Sequence, residues 1–306
     1  MKALTLLPSD KQRLLGITAA CAVVAIWSGW IVSSRWGLNS NIAAIDLTWL
    51  RFTTAALVTL PLAIKYNWRH LPLGKALVVA FGCGFPYVLF AYLGLQFTPS
   101  ANASVLINGL LPVVTSLLGY FFLSGKMTKP LLALVAIACI SNIIIASSGA
   151  QFSVKYLIGI GFLLSATLVL SIYMVAVKAW NISMHEIMVW VPIINALCVT
   201  PFWFVFSDGL SALQAIPITD LLFHIVYQGV IVSVAALFLF SYAIKCNGAL
   251  SASLFMAFVP TTTALLAFIS INEQPTSGQW IAITLCTLGL VGYNIYSRKE
   301  EKSTSK

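Results

Sequence analysis

Charge is what this chain of 306 residues has least of. Asp, Glu, Lys and Arg make up 8% of it and only 8 residues are acidic, where soluble domains carry roughly 25% charged residues. With 60% of the residues hydrophobic, most of the chain's surface cannot face water, and an ordinary soluble globular protein is excluded. Strict apolar/polar alternation is also missing. The apolar runs are continuous and far longer than the ~10 residues of a barrel strand, which excludes a membrane β-barrel. No GxxxxGK[ST] stretch occurs, so nothing points to P-loop nucleotide binding. The six cysteines, Cys21, Cys83, Cys139, Cys198, Cys246 and Cys286, form no CxxC and have no nearby His in sequence. They read as small packing residues rather than as a metal site or disulfide frame, and no cofactor is expected. Three scattered His residues supply no nucleophile–base pair, so an enzyme is not expected. The net charge of +9 does not imply nucleic acid, because the basic residues sit in breaks between apolar runs rather than along one face.

What is abundant is hydrocarbon. Apolar runs occupy residues 14–34, 44–64, 75–96, 101–123, 130–148, 154–177, 184–206, 221–245, 248–270 and 277–297, separated by short breaks rich in charge, Pro or Gly. Each run reaches the ~20 residues that cross a bilayer. Backbone polar groups in lipid must be satisfied within the segment, so each run is a helix. The expected fold is all-α, a polytopic membrane protein of ten transmembrane helices. The first run is too long for a signal-peptide core. With the N-terminus in the cytoplasm, 14 of the 17 basic residues fall on the cytoplasmic side, against Arg35 and Lys155 outside and Arg51 within a helix (14 + 2 + 1 = 17). That asymmetry sets the orientation: a multi-pass protein of the cytoplasmic (inner) membrane, both termini inside, with 298–306 as a cytoplasmic tail. The glycosylation-like Asn181-Ile-Ser183 then lies on the wrong side to be used.

A shift of 148 residues lays the third and fourth helices on the eighth and ninth. Leu89, Phe90, Ala101, Leu106, Pro112, Thr115, Leu117 and Leu118 meet identical residues, among them Pro260, in 30 positions. Two halves, 14–148 and 154–297, follow. Five helices per half is odd, so the second half enters the membrane from the opposite side. Inverted repeats suit alternating access around a site near the midplane.

The stretch Ala91-Tyr-Leu-Gly-Leu-Gln-Phe-Thr-Pro-Ser-Ala-Asn-Ala103, followed by Gly109-Leu-Leu-Pro112, resembles the third and fourth helices of EamA-type transporters in the drug/metabolite transporter superfamily. So do Tyr242-Ala-Ile-Lys-Cys-Asn-Gly-Ala249, Ser251-Ala-Ser-Leu254, Pro260 and Asn272-Glu273 in the second half, and Trp27-Ser-Gly29 and Arg51-Phe52 in the first. The resemblance implies ten helices in two EamA repeats and movement of small metabolites, often export of amino acids or related compounds. Uptake or exchange by the same fold, or a non-transporting structural or sensory subunit, are the alternatives. The partners implied are a small-molecule substrate and the lipid bilayer; oligomeric state stays open. Family halves carry a Glu after the fourth helix, whereas here only the second half does, at Glu273, and the first has Gly125-Lys126.

Candidate site residues are the polar and aromatic groups within the runs. Arg51 either attracts an anionic substrate group or is structural, reaching to the headgroups or pairing with Asp46. His224, Tyr227 and Gln228, at i, i+3 and i+4, share a face and either line a cavity mouth or anchor at the interface. Trp27, Trp30, Tyr87, Tyr92, Asn102, Asn108, Tyr173, Trp190 and Asn195 complete the substrate-cavity candidates; intramembrane Asn residues turn inward, for substrate or for interhelical hydrogen bonds. No acid lies at mid-depth, which argues against a buried proton-carrying carboxylate; Glu273, Asp46 and His224 are the candidates for coupling or gating, and facilitated diffusion or exchange is the alternative. Pro112 and Pro260, equivalent in the repeat, are expected helix kinks, and the small residues around them suggest that the fourth and ninth helices meet. Glu186, opening the seventh helix, suits the positive end of a helix.

Overall fold

A computed structural model describes residues 10–122, 128–148, 153–247 and 254–304. All regular structure among them is helical. Eight helices are long and apolar enough to cross a membrane: α1 (Lys11–Asn39), α2 (Ala44–Lys65), α3 (Leu73–Phe97), α4 (Ser100–Phe122), α6 (Val154–Trp180), α7 (Met184–Phe206), α8 (Ile218–Asn247) and α10 (Ser277–Tyr296, continuing to Thr304). Two shorter apolar helices, α5 (Lys129–Ile145, continuing to Ser148) and α9 (Val259–Ile271), fill the remaining expected positions. Gly125-Lys126 and the small residues Ala249 to Ser253 lie outside the described residues. The exterior is apolar: Leu57, Phe121, Phe204, Phe238, Ile269 and Leu288 are all exposed, a surface suited to lipid rather than water.

The helix packing has a two-fold pattern. Let each helix of the first half correspond to the one five places later. Then α2 packs on its own equivalent α7, α4 on α9 and α5 on α10, while α1–α8 corresponds to α3–α6, and α1–α9 to α4–α6. The equivalent helices α2 and α7 also run antiparallel. Asp46, near the start of α2, accepts hydrogen bonds from Trp203 Nε1 (2.8 Å) and Ser207 Oγ (2.6 Å) at the far end of α7. At the other end, the Tyr66 hydroxyl accepts from Trp190 Nε1 (3.4 Å), and its ring faces His185 in the first turn of α7. The halves are interleaved rather than side by side, so the core is shared between them.

Local features follow from the sequence. Ser183 and Glu186 form a reciprocal capping box at the start of α7, with Glu186 accepting from the Ser183 N–H at 2.7 Å, which uses the acid at a helix N-terminus as expected. Both repeat-related prolines follow interruptions of the α-helical ladder. In α4 a π-helical stretch, Val105–Gly109, precedes Pro112; before α9, short i→i+3 bonds at Ala257 and Phe258 precede Pro260. A proline has no N–H to give to the carbonyl four residues back, and a widened or tightened turn accommodates that loss. Close packing of α3 on α6 depends on Gly94, where a Cβ would stand 2.6 Å from Leu163 and 3.0 Å from the Gly159 carbonyl. Gly94→Ala should therefore lower stability by about 1–3 kcal/mol through overpacking. Gly119→Ala, with open space around it, should be near neutral in the same thermal-unfolding measurement.

Candidate functional site

Helix α3 is broken. Its first segment, Leu73–Gly82, ends at Cys83, and the second, Phe85–Phe97, starts after Gly84 with Pro86 in its first turn. Asn195 of α7 bridges the gap: its Oδ1 accepts from the Phe85 N–H (2.7 Å), and its Nδ2 donates to the carbonyls of Ala80 (2.8 Å) and Val191 (2.7 Å). A Cβ at Gly84 would collide with that amide. The sequence reading placed Asn195 among the cavity candidates, but its polar atoms are spent on backbone.

Arg51 is linked to this break through Trp30, whose ring lies under the guanidinium and packs against Tyr87 in the first turn of the second segment, with centroids 5.9 Å apart. Its guanidinium sits over the rings of Trp30 (5.1 Å to the centroid) and Phe52 (5.9 Å). It is 9% exposed, and its Nε and Nη1 have no hydrogen-bond partner among the described residues. Neither structural reading of Arg51 matches this placement. The side chain folds inward instead of reaching to headgroups, and Asp46 is engaged by Trp203 and Ser207. Five residues along a helix turn about 140° away, which points the two side chains apart.

Around Arg51 the polar groups sort into two sets. Trp30, Tyr87 and Tyr173 each keep 5–8% of their surface exposed, whereas Tyr92, Gln228 and Asn195 keep none. Tyr92 and Gln228, together with Trp30 of the first set, form a hydrogen-bonded network joining three helices. Trp30 Nε1 donates to the Tyr92 hydroxyl (3.3 Å), which donates to Gln228 Oε1 (3.1 Å). Gln228 Nε2 in turn donates to Ser34 Oγ (3.1 Å) and Ser33 Oγ (3.4 Å). Gln228 stands in a π-helical stretch of α8, Ile225–Ala235, whose wider turns mark functional positions often enough to be notable.

His224, Tyr227 and Gln228 do share a face, and it is turned to α1. Tyr227 donates to the Ile26 carbonyl (2.9 Å) and lines an open groove of about 410 Å³ between α1, α8 and α9. His224 is fully buried, stacked on Trp36 with centroids 5.5 Å apart. The remaining candidates are spread through the bundle. Asn102 donates to the Tyr156 hydroxyl (2.8 Å) and accepts from Gln279 Nε2 (2.7 Å), tying α4 to α6 and α10. Asn108 makes only a long contact with Ser104 (3.5 Å). Trp27 packs on Phe240, and Trp190 on Trp68.

Glu273 ties together one end of the bundle. Its Oε1 accepts from Arg35 Nε (3.0 Å) and its Oε2 from the Ser100 N–H (2.8 Å), while Arg35 Nη1 also donates to the carbonyls of Leu95 and Gln96. One carboxylate thus joins α1, the end of α3, the start of α4 and the end of α9. Arg35 counted in the sequence only as a topology charge, and Cys83, Gln279 and Tyr156 were not singled out. For the break, Gly82-Cys-Gly-Phe-Pro86 was the available signal, since two glycines ahead of a proline within an apolar run invite an interruption.

The family model of EamA-like transporters matches residues 14–147 and again 157–295. The chain belongs to the EamA-like transporter family. The resemblance seen in the sequence is therefore borne out, with two copies of the repeat covering nearly the whole of this EamA-like protein. A crystal structure 20% identical in sequence superposes with a TM-score of 0.63, covering 95% of this chain and 99% of its own; at that identity it shows a shared fold alone. Among curated proteins, none matches the chain.

Proposed function

We propose that this protein is a secondary transporter that exports small metabolites, amino acids or related amphipathic compounds, by alternating access. In this reading all ten apolar helices span the cytoplasmic membrane with both termini inside. The observation that carries it is the interleaved two-fold packing of antiparallel equivalent helices, α2 with α7 above all. Two inverted halves of nearly equal shape can exchange conformations, and each exchange turns the site from one side of the membrane to the other. The broken α3 supports a site beside Cys83–Gly84, because interrupted helices at depth are tolerated where they are buried in protein or line a cavity. Arg51, Trp30, Tyr87 and Tyr173 are the side chains of that region. The basic residues on cytoplasmic ends support the orientation.

Reconstitution of the purified protein in liposomes, with labelled amino acids screened with and without an imposed pH gradient, tests the reading. Saturable flux of at least one solute is expected. Absence of flux across the whole panel would sink the carrier assignment.

A further inference from the structure

A buried guanidinium with unused donors is an expensive feature, and Arg51 has two of them, Nε and Nη1, without a partner among the described residues. Burying an ion costs free energy unless a counter-charge or hydrogen bonds replace its water. Arg51 has Trp30 and Phe52 rings against it, and two of its donor nitrogens are buried and unused. Cation–π contact offsets part of that cost but leaves the N–H groups unsatisfied. The nearest chemically suitable acid on its own helix, Asp46, is occupied elsewhere, and the ion pairs among the described residues, Arg35–Glu273 and His70–Glu186, do not include Arg51.

We propose that Arg51 is the anion-binding group of the transport site and receives the carboxylate of the solute. Its planar fork of donors matches a carboxylate two-to-two. The rings of Trp30 and Phe52 lie against the guanidinium and Tyr87 packs on Trp30 with centroids 5.9 Å apart, so a solute held by Arg51 would meet aromatic surface, which suits an apolar or aromatic body. The substrate class is a small carboxylic acid with an apolar side group, an amino acid among them. Bound together, guanidinium and carboxylate are neutral as a pair, which lowers the cost of carrying the acid through hydrocarbon. This inference rests on the transporter reading given above.

The Cys83 thiol, at the break in α3, provides a reporter. In a variant retaining Cys83 as its one cysteine, purified into lipid nanodiscs, the rate of Cys83 modification by methyl methanethiolsulfonate is measured against a panel. The panel holds the twenty common amino acids, 3-phenylpropionate and 4-methylvalerate, each with its amide. At least one acid should slow modification, and its amide should need about 10-fold higher concentration or more, the loss expected for a charge-assisted bond. Arg51→Gln should erase the acid–amide difference, and Arg51→Lys should keep part of it. A purely structural Arg51 would alter thermal stability in both variants and leave that selectivity untouched. The proposal is overturned if acids and amides protect alike, if Arg51→Gln retains the preference, or if no acid protects Cys83 or Cys83 never reacts. Liposome flux separates the two readings: flux that persists without Arg51 dependence removes the carboxylate site and keeps the carrier, while Arg51-dependent protection without flux does the reverse.

Discussion

Glu273→Gln should open the end of the bundle at which Arg35 and Ser100 lie. The carboxylate accepts from Arg35 on α1 and from the first N–H of α4, and Arg35 holds the last carbonyls of α3. Three of the four segments belong to the first half and Glu273 to the second, so this one group spans the boundary between halves. Both side chains of the pair are 19% exposed, shielded enough that the charge-assisted bonds exceed those of a surface pair. Glutamine keeps the shape and one acceptor but loses the charge, at a cost of about 1–2 kcal/mol to the closed arrangement. That shifts the ratio of open to closed conformers by about 5- to 30-fold. The readout is modification of a cysteine placed at Ser34, a fully buried residue one position from Arg35, by a membrane-impermeant thiol reagent. A several-fold rise is expected, larger still in Arg35→Gln, where the contacts to Leu95 and Gln96 are lost as well. Unchanged labelling in both variants would make the pair a passive staple rather than a gate.

The second large effect lies at the break in α3. Asn195→Ala should destabilise the protein by about 3 kcal/mol, because it leaves the Phe85 N–H and the Ala80 carbonyl buried without partners, each worth about 1–3 kcal/mol when orphaned. Water cannot cheaply replace the amide at a site where Asn195 itself is fully buried. Asn142→Ala is the comparison: Asn142 donates only to the Ala138 carbonyl of its own helix, at 2.8 Å, and its loss should be mild. The melting temperature of the purified protein distinguishes the two. Equal melting temperatures for both variants would mean that the broken segment finds other partners on its own. Asn195→Asp is informative too, since it keeps the acceptor for Phe85 but loses the donor to Ala80 and Val191.

Both effects bear on how much the chain discloses before it folds. Asn195 and Glu273 stand out in sequence as polar groups in or beside apolar runs, and that much is legible. Their roles are not. Asn195 looks like a cavity residue until Ala80 and Phe85, more than a hundred residues earlier, are found against it. Arg51 shows the reverse case: its one sequence-near acid, Asp46, is turned away and bonded to Trp203 and Ser207, so the local reading underestimates how isolated the charge is. The interruptions of the helical ladder before Pro112 and Pro260 were readable because a proline removes its own hydrogen bond whatever surrounds it.

Few charges and long apolar runs determined, from the sequence alone, that this is a helical membrane protein with several apolar helices. Those properties follow from the solvent: hydrocarbon acts on each segment separately, by its length and composition, and needs no partner helix. Only the tertiary structure decided which helices meet, α2 with α7 and α3 with α6. It also decided which polar groups are satisfied. In a medium with no water to serve them, polar side chains are defined by the neighbour that reaches them, and here Glu273 finds Arg35 across 238 residues of chain. Arg51, with no ion-pair partner among the described residues, keeps two buried donor nitrogens unused.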